Sequence, residues 1–569
     1  MDNIVFLILR RMRRPLLTLI LAYAAAIFGL TLIPGQDADG NPWRMDFFHA
    51  FYVISYTSTT IGFGEIPYAF TDGQRLWVTL SLYTTVVSWI YAIGTILALV
   101  QDRTFQRAIG ESRFARRIRG MREPFYLVCG YGETGEALIE TLTNRRQHAV
   151  VIDIDEQRTN LIQLQNLREA VPALNGDARS PTHLLAAGLT HPACQGVVAV
   201  TNDNAANLKV ALTAKLLHPE ISVIGRADAR DVEVNMASFG TDYIIDPFET
   251  FASHLAIALQ SPCLYLLHRW LTGVAEAVLS DPVYPPRDGH WIVCGYGRFG
   301  KAVYQRLKRE GISTVVVEAE PERTGMPAEG GVQGRGTEAD TLLAAKVDRA
   351  VGLVAGTDDD VNNLSIVMTA RDLMPDLFVI VRQNHKENAQ IVQAVGGDMV
   401  MHPSSIIADK IRVLLATPML HEFFNLARYK DDAWACQLVS RITALVQHRV
   451  PDIRSVAVDE TDACALDAAL RGGTEVLLGD LLRDPWDRER HLKAVALLLE
   501  RGNDRRLLPG DDTRLAAGDR LLLCGDTAAF TRLQWSICHP RTLGYVCTGE
   551  TPADSWIWRW LRDRYRNTL

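Results

Sequence analysis

Residues 127–135 read Leu-Val-Cys-Gly-Tyr-Gly-Glu-Thr-Gly, and residues 292–300 read Ile-Val-Cys-Gly-Tyr-Gly-Arg-Phe-Gly. Each is an apolar run, then G-x-G-x-x-G, then a helical pattern. A second apolar run ends in an acid 23 residues after the first glycine of each copy: Asp153 after Gly130, and Glu318 after Gly295. A lone G-x-G-x-x-G says little, but a strand before it, a helix after it and an acid at that distance give it meaning. The glycines let backbone approach a pyrophosphate, and the helix N-terminus offers N–H groups and a positive dipole end. The acid accepts hydrogen bonds from ribose hydroxyls and repels a 2′-phosphate, so NAD(H), ADP or AMP fits better than NADP.

Working outward, the two stretches open a long internal repeat. Thr201-Asn202-Asp203-Asn204-Ala205-Ala206-Asn207-Leu208 matches Thr357-Asp358-Asp359-Asp360-Val361-Asn362-Asn363-Leu364, and Val223-Ile224-Gly225-Arg226 matches Val379-Ile380-Val381-Arg382. Gly240-Thr241-Asp242 matches Gly396-Gly397-Asp398, and the offset falls from 165 to 156, so the second copy is nine residues shorter in between. A shared register of that length points to duplication. The expected fold is a tandem of Rossmann-like parallel-sheet domains, at 124–285 and 286–432. The candidate nucleotide-binding residues are Gly130, Tyr131, Gly132, Glu133, Thr134, Gly135, Asp153, Asp177, Thr201 and Arg226 in the first copy. In the second they are Gly295, Tyr296, Gly297, Arg298, Phe299, Gly300, Glu318, Thr357 and Arg382. Each carries a plainer alternative. Gly135 and Gly300 also suit close helix–strand packing, Thr201 and Thr357 the capping of the next helix, and Arg226 and Arg382 a structural salt bridge. Asp358-Asp359-Asp360 suits a solvated loop better than a divalent site, because three consecutive acids do not face one point. No metal site is assigned.

The N-terminal 100 residues differ in kind. Pro15–Pro34 and Leu76–Val100 are uncharged runs of 20 and 25 residues, each enough to cross a bilayer core of about 30 Å. Arg10, Arg11, Arg13 and Arg14 precede the first, and a basic linker, 101–123, follows the second. The intervening 35–75 holds five acids and two arginines. The positive-inside rule then places both termini in the cytoplasm and 35–75 outside, in a cell inner-membrane protein with two spans. Between the spans lies Phe47–Ile61, too short to cross. Asp46 is positioned to cap a short helix from Phe47 to about Tyr56, and Thr59-Thr60-Ile61-Gly62-Phe63-Gly64-Glu65 follows it. Non-helical backbone at membrane depth belongs inside protein or beside a water-filled path, where inward carbonyls replace an ion's hydration shell.

Span, short helix, Thr60-Ile61-Gly62-Phe63-Gly64-Glu65 and span resembles the pore of a two-span potassium channel, whose filter usually reads T-V-G-Y-G-D. The resemblance implies a pore helix and filter at 46–65. Thr60, Ile61, Gly62, Phe63, Gly64 and Glu65 would form the filter around K+, and Gly94 is a candidate gating hinge with helix packing as its alternative. Phe63 lacks the hydroxyl with which the usual tyrosine braces the filter, Glu65 replaces the usual aspartate, and Tyr52-Val53 stand where two tryptophans are frequent. The tandem repeat resembles regulator-of-potassium-conductance (RCK, TrkA-N-like) domains. Leu508-Pro509-Gly510-Asp511 with Ala517-Gly518-Asp519-Arg520-Leu521 resembles the end of that family's small α+β C-lobe, placed at 433–545 and present only after the second copy. A tail, 546–569, carries Trp556-Ile557-Trp558-Arg559-Trp560.

The implied protein is a homotetrameric, ligand-gated potassium channel with an eight-domain gating ring. It is regulated by an adenine nucleotide at one or both lobes, with divalent cations as further candidates, and it is not an enzyme. The alternatives are a membrane-anchored nucleotide-dependent oxidoreductase, against which stands the lack of a recognisable substrate domain, and a regulatory subunit of a potassium uptake system. Composition agrees with a mixed architecture. Mean hydropathy is +0.02, the average of an apolar head and a soluble body. Residues 1–123 carry +4 and the remainder −11 of the net −7, and an acidic body excludes a general nucleic-acid binder. Nine cysteines without a C-x-x-C pair read as reduced thiols of a cytosolic body.

Overall fold

The computed structural model describes residues 2–144, 146–273, 277–446 and 448–549, which fall into two compact units. The Trp-rich part of the tail lies outside the described residues.

The first unit is helical. Its helices are Asp2–Leu32, Phe47–Ser58, Asp72–Gln101 and Arg103–Arg119. The first runs through Pro15 and stops two residues short of Pro34, which is where a residue preceding proline leaves helical geometry. Arg11–Leu32 and Asp72–Gln101 are long and apolar enough to cross a membrane. They pack through a small residue: a Cβ on Gly29 would lie 2.1 Å from the Trp77 ring. Trp77 Nε1 donates to the Ala26 carbonyl at 3.0 Å, and Trp89 Nε1 to the Tyr23 hydroxyl at 2.7 Å. At the opposite end Arg11 pairs with Asp102 at 2.5 Å.

The second unit contains two six-stranded sheets with all strands parallel. In the first the spatial order is Ala173–Asn175, His148–Asp153, Phe125–Cys129, Cys194–Ala199, Ser222–Arg226, Tyr243–Ile245. In the second it is Gly331–Gln333, Ser313–Glu318, His290–Cys294, Ala350–Ala355, Phe378–Arg382, Met399–Met401. Third-second-first-fourth-fifth-sixth is the doubly wound order, with its crevice at the carboxyl ends of the first and fourth strands. The strand interiors are buried on both faces, which is why they read as continuous apolar runs.

After each sheet come two helices broken at a proline: Pro247–Gln260 and Pro262–Thr272, then Pro403–Ala416 and Pro418–Ala427. The first of each pair is exchanged between lobes. Phe248, Phe251, Leu255 and Leu259 of the first lobe pack with Trp291, Phe299 and Val303 of the second. Ile407, Ile411 and Leu414 of the second pack with Val128, Leu138 and Ile139 of the first. Each large side chain so buried contributes about 1.5–3 kcal/mol, so neither sheet has a complete core without the other lobe.

The C-terminal part holds the helix Asp432–Val446 and an antiparallel sheet ordered Asp452–Ala457, Arg520–Gly525, Ala494–Arg501, Asp504–Leu507. Asp519, fully buried, takes both Arg501 nitrogens at 2.7 Å and the Ala516 N–H at 2.8 Å. One expectation is corrected here. Cys263 and Cys436 are joined by a disulfide, while the other seven cysteines are free. The partners are 173 residues apart in sequence, so no spacing rule announces them.

Candidate functional site

Both glycine-rich turns have the same backbone. Gly130 and Gly295 sit at φ +104° and +92°, a region closed to most side chains. A Cβ on Gly135 would lie 2.1 Å from the Gly130 carbonyl oxygen, and one on Gly300 1.9 Å from that of Gly295. The third glycines therefore serve the close packing of helix on turn. The middle ones differ. Gly297 has an ordinary φ of −71° and nothing within 4 Å of a built Cβ. Gly297 is the N-cap of the helix Arg298–Arg309, a position that favours glycine over alanine, and the space beside it is open to a bound group among the described residues.

The acids hold the turns in place. Asp153 accepts from the Tyr131 and Asp155 N–H groups, and Glu318 from those of Tyr296 and Glu320. Both are buried, and each oxygen keeps a second lone pair. Thr201 donates from N and Oγ1 to Asn207 Oδ1 at 2.9 and 2.7 Å, and Thr357 likewise to Asn363 at 2.8 and 2.7 Å. Both threonine hydroxyl protons thus stay within the loop, and Asp203 and Asp359 cap the helices that follow. Tyr131 and Thr134 are buried, and Phe299 is fully enclosed against Phe248 and Phe251. Cys129 and Cys294 are fully buried too, and burial pushes the Cys294 thiol up to about 12. It packs the strand end as an inert group.

In the second lobe Gly295, Gly297, Arg298, Glu318, Thr357 and Arg382 line one cleft of about 820 Å³. Arg335, which sequence reasoning missed, lines it as well. The signal was present: Asn175-Gly176-Asp177 and Gln333-Gly334-Arg335 end the third strand of each sheet. The arginines at the ends of the fifth strands have different surroundings. Arg226 is clamped by Asp228 at 2.8 and 3.0 Å and donates to Asn202 Oδ1 at 2.9 Å. Arg382 Nε is buried without a hydrogen-bond partner, and burial holds its guanidinium below the usual arginine range.

Each turn also meets the other lobe. Glu133 accepts from the Lys386 N–H at 3.0 Å and lies 3.2 Å from His402 Nε2. Burial holds that imidazole below its ordinary value, against the opposing pull of Glu133. Arg298 donates to the Asp228 carbonyl at 3.2 Å and lies 3.5 Å from its carboxylate. The acidic run 358–360 is no solvated loop throughout. Asp360 is buried and accepts from Asn384 N, His385 N and Asn388 Nδ2 at 2.6, 3.1 and 2.6 Å. Burial alone would raise its carboxyl; those bonds outweigh it and hold it below the usual range. Among the described residues, one group brings three such ligand atoms within 4.8 Å: Cys263, Asp432 and Cys436. Its two sulfurs are bonded to each other.

In the helical unit, Asp46 caps Phe47–Ser58 by accepting from the His49 N–H at 2.8 Å. Thr60, Gly62 and Gly64 have φ of +61°, +67° and +94°, alternating with Ile61 and Phe63. Phe63 stacks on Tyr52 at 6.4 Å and meets Tyr56 edge-on at 5.5 Å. The Tyr56 hydroxyl donates to the Gly64 carbonyl, which ties the loop to the short helix before it. Glu65 takes Arg75 Nε and Nη2 at 2.7 and 3.1 Å and the Phe70 N–H at 2.8 Å. A Cβ on Gly94 would touch nothing within 4 Å, so packing within one chain does not require glycine there.

Residues 126–247 and 291–403 match the TrkA-N domain. Potassium channel protein 1 of Methanocaldococcus jannaschii is 27% identical over 228 residues, covering 39% of this chain and 66% of that protein. The voltage-gated potassium channel Kch of Escherichia coli is 22% identical over 191 residues, covering 32% and 44%. The chain thus spans about two thirds or less of the length of these curated relatives. A solved structure described as GsuK channel bound to NAD covers 94% of this chain and 99% of its own, at 16% identity and a TM-score of 0.45.

Proposed function

From two TrkA-N domains carried behind a pair of membrane-length helices, we propose that this protein is a potassium channel gated from the cytoplasm by an adenine nucleotide. The observation that carries the reading is the Thr60–Glu65 backbone. Left-handed residues alternate with others between a capped short helix and a membrane-length one, and a loop of this kind aims carbonyls at an ion. One chain supplies one loop, so four chains build the pore and their eight lobes a ring. A nucleotide gates only through unequal affinity for two ring shapes; equal affinity shifts nothing. The glycine-rich crevices supply the ligand site, and Gly94 the point at which the second span bends. No catalysis is assigned.

The test is potassium flux into proteoliposomes with and without NAD(H), ADP or AMP. Ligand-dependent flux that excludes sodium is expected. Absence of potassium-selective flux under every ligand would overturn the reading. Turnover of added NADH, followed by absorbance, would instead favour an oxidoreductase.

A further inference from the structure

The two crevices share a backbone but differ in charge at several paired positions, not all in one direction, since Asn202 and Asn204 of the first copy stand where the second has Asp358 and Asp360. After the second glycine stands Glu133 in one and Arg298 in the other; at the end of the third strand, Asp177 and Arg335. Asp177 is held by Arg179 at 3.0 and 3.1 Å, and that guanidinium keeps its carboxyl below the usual range. The second copy has Thr337 at the position of Arg179. At the end of the fifth strand both copies have arginine. Asp228, two residues on, neutralises Arg226, whereas the corresponding residue of the second copy is Asn384, which bonds to Asp360 instead. Arg382 therefore keeps a buried, unpartnered Nε at a cleft that Arg298 and Arg335 also line.

A phosphate brought to the first crevice meets the Glu133 carboxylate at the N-terminus of its helix. His402 lies beside it but is held toward neutrality by burial, so it offers little compensating charge. A phosphate brought to the second meets Arg335 and Arg382, with Arg298 shared with Asp228, and the open face of Gly297, in a cleft that Asp358, Glu320 and Glu338 also line. Charge-assisted, bidentate donors of this kind are what phosphate oxygens bind most strongly.

We propose that each chain has one phosphate-bearing ligand site, in the second lobe, for a nucleotide carrying at least a diphosphate. The first lobe binds no such ligand and acts as the scaffold against which the second moves. The proposal rests on the reading of the crevices as nucleotide sites and narrows it to one lobe, with Arg298, Arg335 and Arg382 as the selecting residues.

The experiment uses the full-length protein in detergent, titrated calorimetrically with ADP and, separately, with inorganic pyrophosphate, which carries the charge without the base. One ADP per chain is expected, and 8-azido-ADP, mapped by mass spectrometry, should label peptides within 291–403 and none within 126–247. Arg298→Gln and Arg335→Gln together should weaken ADP and pyrophosphate by about 100-fold, as loss of two charged donors implies. Arg335 is exposed, so Arg335→Gln alone, expected to weaken both by about tenfold, separates lost binding from lost folding. Two ADP per chain, label in the first lobe, or unchanged affinity in the double variant would overturn the proposal, as would failure of both probes to bind. Binding of pyrophosphate in the second lobe without binding of any adenine nucleotide would leave the lobe assignment standing and remove the nucleotide reading.

Discussion

A methyl group added at Gly300 meets a carbonyl oxygen, and one added at Gly297 meets nothing. The two substitutions should therefore separate structure from binding. Gly300→Ala forces helix and turn apart and should cost about 1–3 kcal/mol, read as a lower urea midpoint. Gly297→Ala puts a poorer N-cap at the start of Arg298–Arg309 and should cost no more than about 1 kcal/mol while weakening ADP at least tenfold. In the helix before Thr60–Glu65, Tyr56→Phe removes one hydrogen bond to the Gly64 carbonyl, worth about 1 kcal/mol, and on the proposed function this loosens the filter. A several-fold fall in the potassium-to-sodium permeability ratio, measured from reversal potentials, is the expected result. At this scale much was legible. The motif located the turns, and the alternatives weighed for Gly135, Gly300 and Arg226 match the contacts found. The different fate of Arg382 was harder to foresee, because it depends on whether Asp228 or Asn384 stands two residues further on and on which way each carboxamide and carboxylate turns. The hydrogen bond from Tyr56 to Gly64 was invisible because a partner eight residues away in an irregular loop leaves no local pattern.

The helices after each sheet explain two further expectations. The His254 and His268 rings meet at a tilt with centroids 4.5 Å apart, and His268 also meets the Phe424 ring at 4.7 Å. Burial holds His254 at about 4 and His268 well below its ordinary value, with Lys410 acting in the same direction on both and Arg412 on His268. Their folded values lie below the unfolded 6.5, so the unfolded chain binds more protons. Stability is then fully present above pH 6.5 and is lost as pH falls toward 4. The melting temperature should drop across that window, and His254→Gln should flatten the drop. The second expectation concerns Pro262–Thr272 and Asp432–Val446. Asp432 accepts from the Ser261 hydroxyl and the Cys263 N–H at 2.7 and 3.0 Å beside the Cys263–Cys436 bond. In denaturant without reductant, seven of the nine cysteines should react with a thiol reagent, and all nine after reduction. Which lobe each of these helices covers is not legible in the sequence, because an apolar stripe records burial and not the identity of the surface that buries it.

For the whole chain, residues 1–123 and the remainder carry opposite net charge, which fits the proposed orientation with arginines flanking both spans on the cytoplasmic side. On the orientation proposed, Asp39→Cys should react with a membrane-impermeant maleimide in intact cells, and Glu111→Cys only after permeabilisation. Both positions are exposed, so the labelling pattern reads topology alone. The reverse pattern would invert the assignment of the termini. The division into an apolar head and a duplicated α/β body was legible from composition and repeats. The asymmetry between the copies emerged only when the same backbone position could be compared in two surroundings.

That asymmetry has a bearing on why the lobes are fused. Two identical subunits paired about a two-fold axis must use one residue at both equivalent corners of their interface. An acid placed there to meet a neighbour on one side places the same acid on the other. Here the helix exchange keeps the geometry of such a pair, yet one corner holds Glu133 against Lys386 and His402, and the other Arg298 against Asp228. Joining two copies in one chain frees each corner to change independently. It also gives each lobe a partner it distinguishes, because a first lobe meeting another first lobe would set Glu133, in place of Arg298, against Asp228.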